Sequence, residues 1–186
     1  MRMTATGDRG FSLIAILLLV VVLASLAVAG MGAGVMQERM AGNARDRNLA
    51  LQAAEAALRD AEADVEANIT LESAFSLDCT AGLCLPPSMT ASAPTSTPLW
   101  KSLDWSAAAN RSRAYGAATS AAALPSVAAP PRYVIERLPP LPPVSGTSAD
   151  ASAPLDDAAQ AYRITVRATG VRDTTVVILQ STYIKR

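Results

Sequence analysis

The strongest constraint on the fold of this chain is an uninterrupted apolar segment near its N-terminus. Residues 11–29 contain only two polar side chains, Ser12 and Ser25, and no charged residue occurs between Arg9 and Glu38. A helix made from such a segment is long enough to cross a hydrocarbon layer of roughly 30 Å. One small domain cannot bury it alone, so lipid or other protein chains must cover it.

A short leader precedes this apolar segment. It carries Arg2 and Arg9 and ends at Gly10, and Phe11 opens the apolar run. A secretory signal has its cleavage site after the apolar stretch. Here the plausible cut comes before it, so the apolar helix would stay on the mature protein as its N-terminus. The arginines predict a cytoplasmic leader and a periplasmic C-terminus. The alternative is a plain signal anchor that keeps its leader.

The junction and the region behind the apolar segment share features with a known family. Residues 10–14, Gly-Phe-Ser-Leu-Ile, resemble the recognition site of type IV prepilins. Residues 37–43 and 46–59 resemble the start of the PilX family of minor pilins. The resemblance implies cleavage by a membrane prepilin peptidase after Gly10 and N-methylation of Phe11. It also implies storage in the inner membrane and assembly into a pilus with other minor pilins and the major pilin, with twitching motility and adhesion downstream.

One position departs from the usual pilin pattern. Most pilins have a glutamate at the fifth mature position, where it helps to dock a subunit against the N-terminus of its neighbour. In this chain that helix assembly position is Ala15. The substitution favours a role at the tip of a filament, or in priming it, over bulk incorporation.

Charge and residue types exclude several function classes. The chain has 16 basic and 16 acidic residues, and losing Arg2, Arg9 and Asp8 with the leader changes the formal charge from 0 to −1. No general basic field is present, so nucleic-acid binding is not expected. The chain has no histidine, which excludes a Ser-His-Asp triad and histidine metal ligands. We therefore expect no enzyme, no catalytic residues, no cofactor and no metal.

Two cysteines, Cys79 and Cys84, lie close together in the sequence. An oxidising compartment outside the cytoplasmic membrane would favour a disulfide between them. Free thiols are the second interpretation. Metal binding is the third and weakest, because two cysteines without a histidine cannot fill a zinc site.

The N-terminal helix is predicted to have two halves. Residues 11–34 form the membrane or filament-core half, in which Gly30, Gly32 and Gly34 act either as a hinge or as a close-packing surface. Residues 35–69 form an amphipathic half. Its acidic last turns oppose the helix dipole and predict fraying after Val65. The predicted apolar stripe consists of Met36, Met40, Ala44, Leu51, Ala54, Leu58, Ala61, Val65 and Ile69.

Residues 70–186 are predicted to form a periplasmic head that begins with an irregular stretch. Trp100 and Trp105 are interpreted as anchors of its small core, with an exposed contact for another pilin as the alternative. Alternating or β-branched patterns predict strands, and intervening prolines and small residues predict a stiff connector followed by a flexible loop. The strands are placed at 132–138, 161–168 and 174–184, the connector at 139–143 and the loop at 144–158.

The predicted fold class is therefore α+β. A long N-terminal helix packs on a small C-terminal antiparallel sheet from about residue 132 to 186, which is the layout that the resemblance to pilins implies. Two rival functions stay open. One is a minor pseudopilin of a type II secretion system. The other is a single-pass membrane protein whose periplasmic head binds a partner without assembling.

Overall fold

A computed structural model of the 186-residue chain describes residues 11–86, 97–139 and 159–185. The predicted leader with Gly10, most of the proline connector and the loop at 144–158 lie outside these residues. The chain divides into two compact units, residues 1–45 and 46–186. We call the second unit the head; it includes the last part of the long helix.

The long helix α1 is Phe11–Asn68 and contains 58 residues. The predicted fraying after Val65 is wrong, because the helix reaches Asn68. The ammonium group of Lys185 explains the difference: its Nζ donates to the carbonyl oxygens of Val65, Glu66 and Ile69 at 2.7–2.9 Å. A cation on the last carbonyls satisfies their bonding capacity and offsets the negative end of the helix dipole.

The head contains one five-stranded sheet. Its strands are β1 Leu83–Cys84, β2 Arg113–Ala114, β3 Arg132–Arg137, β4 Gln160–Thr169 and β5 Val176–Lys185, and a one-turn helix α2 spans Leu99–Ser102. The predicted antiparallel set is confirmed, since β3 pairs with β4 and β4 with β5. However, β1 pairs with β3 in parallel, so the sheet is mixed. The same pairing places β3 inside the sheet.

The main core lies between α1 and one face of the sheet. The sheet contributes Tyr133, Ile135, Tyr162, Ile164, Val166 and Ala168. The helix contributes Ala53, Ala54, Ala57, Ala61 and Val65, and Ile69 follows directly after its end. Small alanines let the helix approach the sheet closely. The predicted stripe is correct for Ala54, Ala61, Val65 and Ile69, whereas Ala44, Leu51, Met36 and Met40 are exposed.

A second, smaller cluster covers the opposite face of the sheet. It consists of buried residues from the cysteine loop, the α2 region and β3: Cys79, Cys84, Leu99, Leu103 and Val134. Trp105 packs against this cluster while half-buried, and Trp100 is half-buried as well. Trp105 therefore supports this layer, but Leu99 and Leu103 rather than the tryptophans fill its centre.

Candidate functional site: the apolar helix and its anchor in the head

The first part of α1 presents an apolar surface with nothing over it. Phe11–Val28 has a mean hydropathy of 3.1 and is long and apolar enough to cross a membrane by length and composition. Its large side chains are exposed in the isolated chain; Phe11 is 76% exposed. The hydroxyl of Ser25 donates to the carbonyl oxygen of Val21 at 2.8 Å, so this polar group is satisfied inside the helix. Such internal pairing is what a hydrocarbon environment requires.

Two of the predicted site residues lie in the first turns of this helix. Phe11 and Ala15 are four positions apart, which places them on the same side of α1 on successive turns. Both side chains are exposed. The third residue, Gly10, lies outside the described residues.

Cys79 and Cys84 form a disulfide, which is the pairing that the sequence favoured. Cys84 lies in β1 and is paired in register with Glu136 of β3, so the disulfide loop is attached to the sheet. Gly82 sits inside the loop at a φ of +76°, where a Cβ atom would lie 2.9 Å from the backbone nitrogen of Arg113. Only glycine meets both conditions without strain.

The helix is attached to the sheet by buried carboxylates as well as by alanines. Asp64 is fully buried and forms an ion pair with Nη1 of Arg113 at 2.5 Å. The same carboxylate accepts the hydroxyl of Tyr133 and the side-chain amide of Asn68, each at 2.9 Å. Burial is the main cause that raises the pKa of Tyr133, and the adjacent Asp64 charge raises it further. The tyrosine therefore stays a neutral donor to Asp64.

Asp60, one turn earlier, holds a loop of the head. Its carboxylate accepts the backbone N–H of Gly116 at 2.8 Å and the hydroxyl of Thr119. This loop follows β2, so Asp60 and Asp64 together fix the segment around β2 against the helix. Gly116 has a φ of +73°, a left-handed conformation that glycine adopts without cost.

Asp46 holds the turn between β4 and β5. Its two carboxylate oxygens accept the backbone N–H of Val171 and the hydroxyl of Thr175, each at 2.6 Å. These contacts lower the pKa of Asp46, with the Thr175 hydrogen bond as the largest cause. Gly170 makes the close approach possible, because a Cβ atom there would lie 2.8 Å from both Cγ and the carbonyl oxygen of Asp46.

The sequence reasoning missed these three carboxylates as structural groups. The spacings from Asp46 to Asp60 and from Asp60 to Asp64 are 14 and 4 residues. At 3.6 residues per turn, all three lie on one side of the helix. The signal was therefore present, but acidic residues on a helix are far more often solvated than buried.

The face of the sheet opposite α1 carries a row of charged cross-strand pairs. Glu136 lies in register with Arg163, with 3.8 Å between their charged groups. Burial raises the pKa of Glu136, and the Arg163 charge opposes that rise. Arg132 lies in register with Arg167. Among the residues that the structure describes, no group of three or more histidine, cysteine, aspartate or glutamate side chains could hold a metal ion.

Two family models match the chain. One is described as "Type IV pilus assembly protein PilX C-term" and covers residues 80–185; the other, "PilX N-terminal", covers residues 9–59. Searches of curated proteins and of solved structures give no significant match. The N-terminal match includes the Gly10–Phe11 junction and most of α1, and the C-terminal match includes every strand of the sheet. The chain therefore belongs to the PilX family and is a membrane-anchored minor pilin of the type IV pilus.

Proposed function

We propose that this protein is made as a prepilin, is cut between Gly10 and Phe11, and is methylated on Phe11. Residues 11–34 hold it in the inner membrane with its C-terminus in the periplasm until it enters or primes a filament. The observation that carries this proposal is the exposed apolar surface of Phe11–Val28, on a helix whose later turns pack in the head. The PilX-family matches on both parts support it.

Different forces act on this helix in the two states. Transfer from water into lipid is driven by the hydrophobic effect, which contributes about 1.5–3 kcal/mol for each fully covered leucine or valine. Lipid tails are as apolar as leucine, so this term changes little when the helix moves from lipid into a bundle of other helices. Close packing and dispersion contacts between helices then stabilise the assembled state.

The proposed task is assembly rather than catalysis. The carboxylates of Asp46, Asp60 and Asp64 attach α1 to three parts of the head: the β4–β5 turn, the loop after β2, and β2 itself. A pull on the helix is therefore transmitted to the head through buried polar contacts and the alanine-lined core. The partners that we propose are other minor pilins, the major pilin, the prepilin peptidase and inner-membrane lipid, with no nucleic acid.

Ala15 supports a position at the tip or in a priming complex. A subunit inside the shaft has a neighbour above it. A glutamate at the fifth mature position of the subunit would contact the N-terminal amine of that neighbour. A methyl group offers no such contact, so a subunit without a neighbour above loses nothing by carrying alanine. Pilus-dependent motility and adhesion would then depend on this protein through filament initiation.

The two rival functions differ in observable ways. A minor pseudopilin would serve secretion, and the family description, which names type IV pilus assembly, favours the pilus. A single-pass membrane protein that never assembles would keep residues 1–10. The mature N-terminus therefore separates that rival from the pilin.

The cleavage proposal is tested with two glycine substitutions in the leader. Gly10→Val places a branched side chain at the cut and should leave the leader attached. Gly7→Val, three residues upstream, is the matched control and should be processed normally. Mass spectrometry of the purified membrane fraction reads the N-terminus, and N-methylated Phe11 is expected in the wild type and the control. Retention of residues 1–10 in the wild type, in cells with an active prepilin peptidase, would overturn the proposal.

The Ala15 proposal is tested by restoring the acid. Ala15→Glu should shift the protein from a low, constant amount per pilus towards incorporation along the shaft. Ala15→Gln introduces a side chain of nearly the same size as glutamate but without its charge, and this variant should behave like the wild type. The amount of this subunit relative to major pilin in sheared pili measures the effect. Equal incorporation of all three forms would refute a tip or priming role for Ala15.

A further inference from the structure

The register between β3 and β4 places two arginines directly opposite each other. Tyr133 and Ile135 face α1, so Arg132, Val134 and Glu136 point to the other face of the sheet. Arg132 lies opposite Arg167 there. Like charges directly opposite each other destabilise a sheet, whereas unlike charges stabilise it.

Another arginine on the same face of the sheet does have an acidic partner. The nearby Arg163 has Glu136 across the strand, 3.8 Å away. Across residues 11–86, 97–139 and 159–185, no carboxylate lies within ion-pair distance of Arg132 or Arg167. Within these described residues, two arginines in register therefore have no neutralising carboxylate, which is costly unless something else supplies the negative charge.

The two arginines line a cavity of about 360 Å³, which we call the Arg132–Arg167 cavity. Trp105 and Thr169 contribute to its wall. Arg132 is held in place by Ser112: its Nε donates to the hydroxyl at 2.7 Å and its Nη2 to the carbonyl oxygen at 2.5 Å. Within the described part of the chain, Nη1 of Arg132 makes no hydrogen bond or ion pair, and neither does any nitrogen of the Arg167 guanidinium.

Partial burial makes the positive charge of Arg132 harder to accommodate. Burial lowers the pKa of Arg132, since it removes water from a charged group without supplying an anion. The guanidinium stays protonated at neutral pH nevertheless, because arginine is not deprotonated in proteins. An anion in the cavity would relieve both the like-charge repulsion and the desolvation.

We propose that the Arg132–Arg167 cavity binds a carboxylate, supplied by an aspartate or glutamate side chain of another pilus protein. Guanidinium groups bind planar carboxylates through paired N–H···O bonds, and two of them offer more donors than one carboxylate can use. The half-buried ring of Trp105 provides an apolar wall for the methylene groups of that side chain. The cavity volume of about 360 Å³ lies in the range of small-ligand pockets, which leaves room for a carboxylate side chain.

A protein carboxylate fits better than a nucleic-acid phosphate. Binding along a nucleic acid needs a track of many cations, and this chain has a formal net charge of 0 with two arginines at the cavity. A member of a pilus assembly family meets other pilus proteins as part of its function. That the carboxylate comes from another pilus protein rests on the proposed function, whereas the affinity of the cavity for a carboxylate does not.

The site is tested in the full-length, detergent-solubilised protein by fluorescence. The chain has two tryptophans, so Trp100→Phe leaves Trp105 as the only reporter. The probe is a blocked peptide, acetyl-Ala-Glu-Leu-amide, and its glutamine counterpart is the control ligand. We expect a saturable change in Trp105 emission with the glutamate peptide that weakens as salt is raised, and no saturable change with the glutamine peptide.

Variants assign the binding to the arginines. Arg167→Gln should weaken peptide binding at least tenfold, and Arg167→Lys should give an intermediate loss because a point charge replaces the planar fork. Arg59→Gln removes the same charge from an exposed position on α1 and should leave binding unchanged. Circular dichroism and melting temperature establish that each variant is folded.

Three results would overturn the assignment. One is equal responses to the two peptides, and another is unchanged affinity in a folded Arg167→Gln variant. The third is tighter binding of inorganic phosphate than of the glutamate peptide, which would mark a phosphate site instead. None of these results affects the cleavage test at Gly10, so failure of this site and failure of the pilin function are distinguishable.

Discussion

Removal of the Asp64 carboxylate should destabilise the head more than any other change of one charge on α1. Asp64→Ala leaves Arg113 without its 2.5 Å partner and the hydroxyl of Tyr133 without its 2.9 Å acceptor. Breaking a buried ion pair by removing one partner costs about 3–5 kcal/mol. Arg113 keeps its bond from Nε to the carbonyl oxygen of Ala81 at 2.7 Å, and its side chain is 20% exposed. We therefore expect the lower end of the range, about 3 kcal/mol.

This loss is measurable by unfolding. For a head of this size it corresponds to a fall in melting temperature of roughly 10 °C. The assay is urea or thermal unfolding of the detergent-solubilised full chain at pH 7, followed by tryptophan fluorescence because both tryptophans lie in the head. Glu55→Ala, an exposed position on the same helix, is the matched control and should change the free energy of unfolding by less than about 0.5 kcal/mol.

Two further variants separate the contribution of the Asp64–Arg113 ion pair from that of the Tyr133 hydrogen bond. Tyr133→Phe removes only one hydrogen bond and should cost about 1 kcal/mol. The double variant Asp64→Ala/Arg113→Ala removes the stranded cation with the anion, so its cost should be smaller than the sum of the two single costs. An Asp64→Ala protein as stable as the wild type would refute the reasoning, as would strict additivity in the double variant.

Three other perturbations test the head. Gly170→Ala should lower the melting temperature by several degrees, because its Cβ would lie 2.8 Å from Cγ of Asp46 and force the β4–β5 turn away from the helix; an unchanged melting temperature would contradict that contact. The Glu136 pKa is raised from 4.5, so its contribution to stability is present below that pH and is lost as the pH rises above it. Glu136→Gln should therefore gain stability relative to the wild type between pH 4 and pH 7 in urea titrations, and a constant difference would refute the shift. Replacing both Cys79 and Cys84 by serine should lower the free energy of unfolding by about 2 kcal/mol more when compared with the oxidised wild type than when compared with the reduced wild type, because only the oxidised protein has the cross-link.

The strands of the sheet were largely predictable. Residues 132–138 and 161–168 were predicted from alternation and residues 174–184 from their β-branched composition. The observed strands are Arg132–Arg137, Gln160–Thr169 and Val176–Lys185. Alternation is a local signal that survives without knowledge of the partner strand. The two-residue strands β1 and β2 have no room for a pattern, and they exist only because β3 lies beside them.

The anchor of the helix was only half predictable. Ala54, Ala61, Val65 and Ile69 followed from helical periodicity, whereas Ala53 and Ala57 were outside the predicted stripe. The pattern assigned no structural role to Asp46, Asp60 or Asp64. Whether an aspartate on a helix is buried depends on which donors face it. Those donors come from positions 49 to 129 residues away in the chain, such as Arg113, Tyr133 and Thr175.

The sequence by itself determined the features that depend on neighbouring residues. These are the apolar helix that begins at Phe11, the junction with Gly10, the alanine at position 15 and the closely spaced cysteines. Apolar length, residue spacing and redox chemistry act within a few turns of chain, so they can be read without a fold. Only the tertiary structure decided which carboxylates hold the helix and which arginines face each other. Arg132 and Arg167 meet because of strand register, and register is set by packing across the whole sheet.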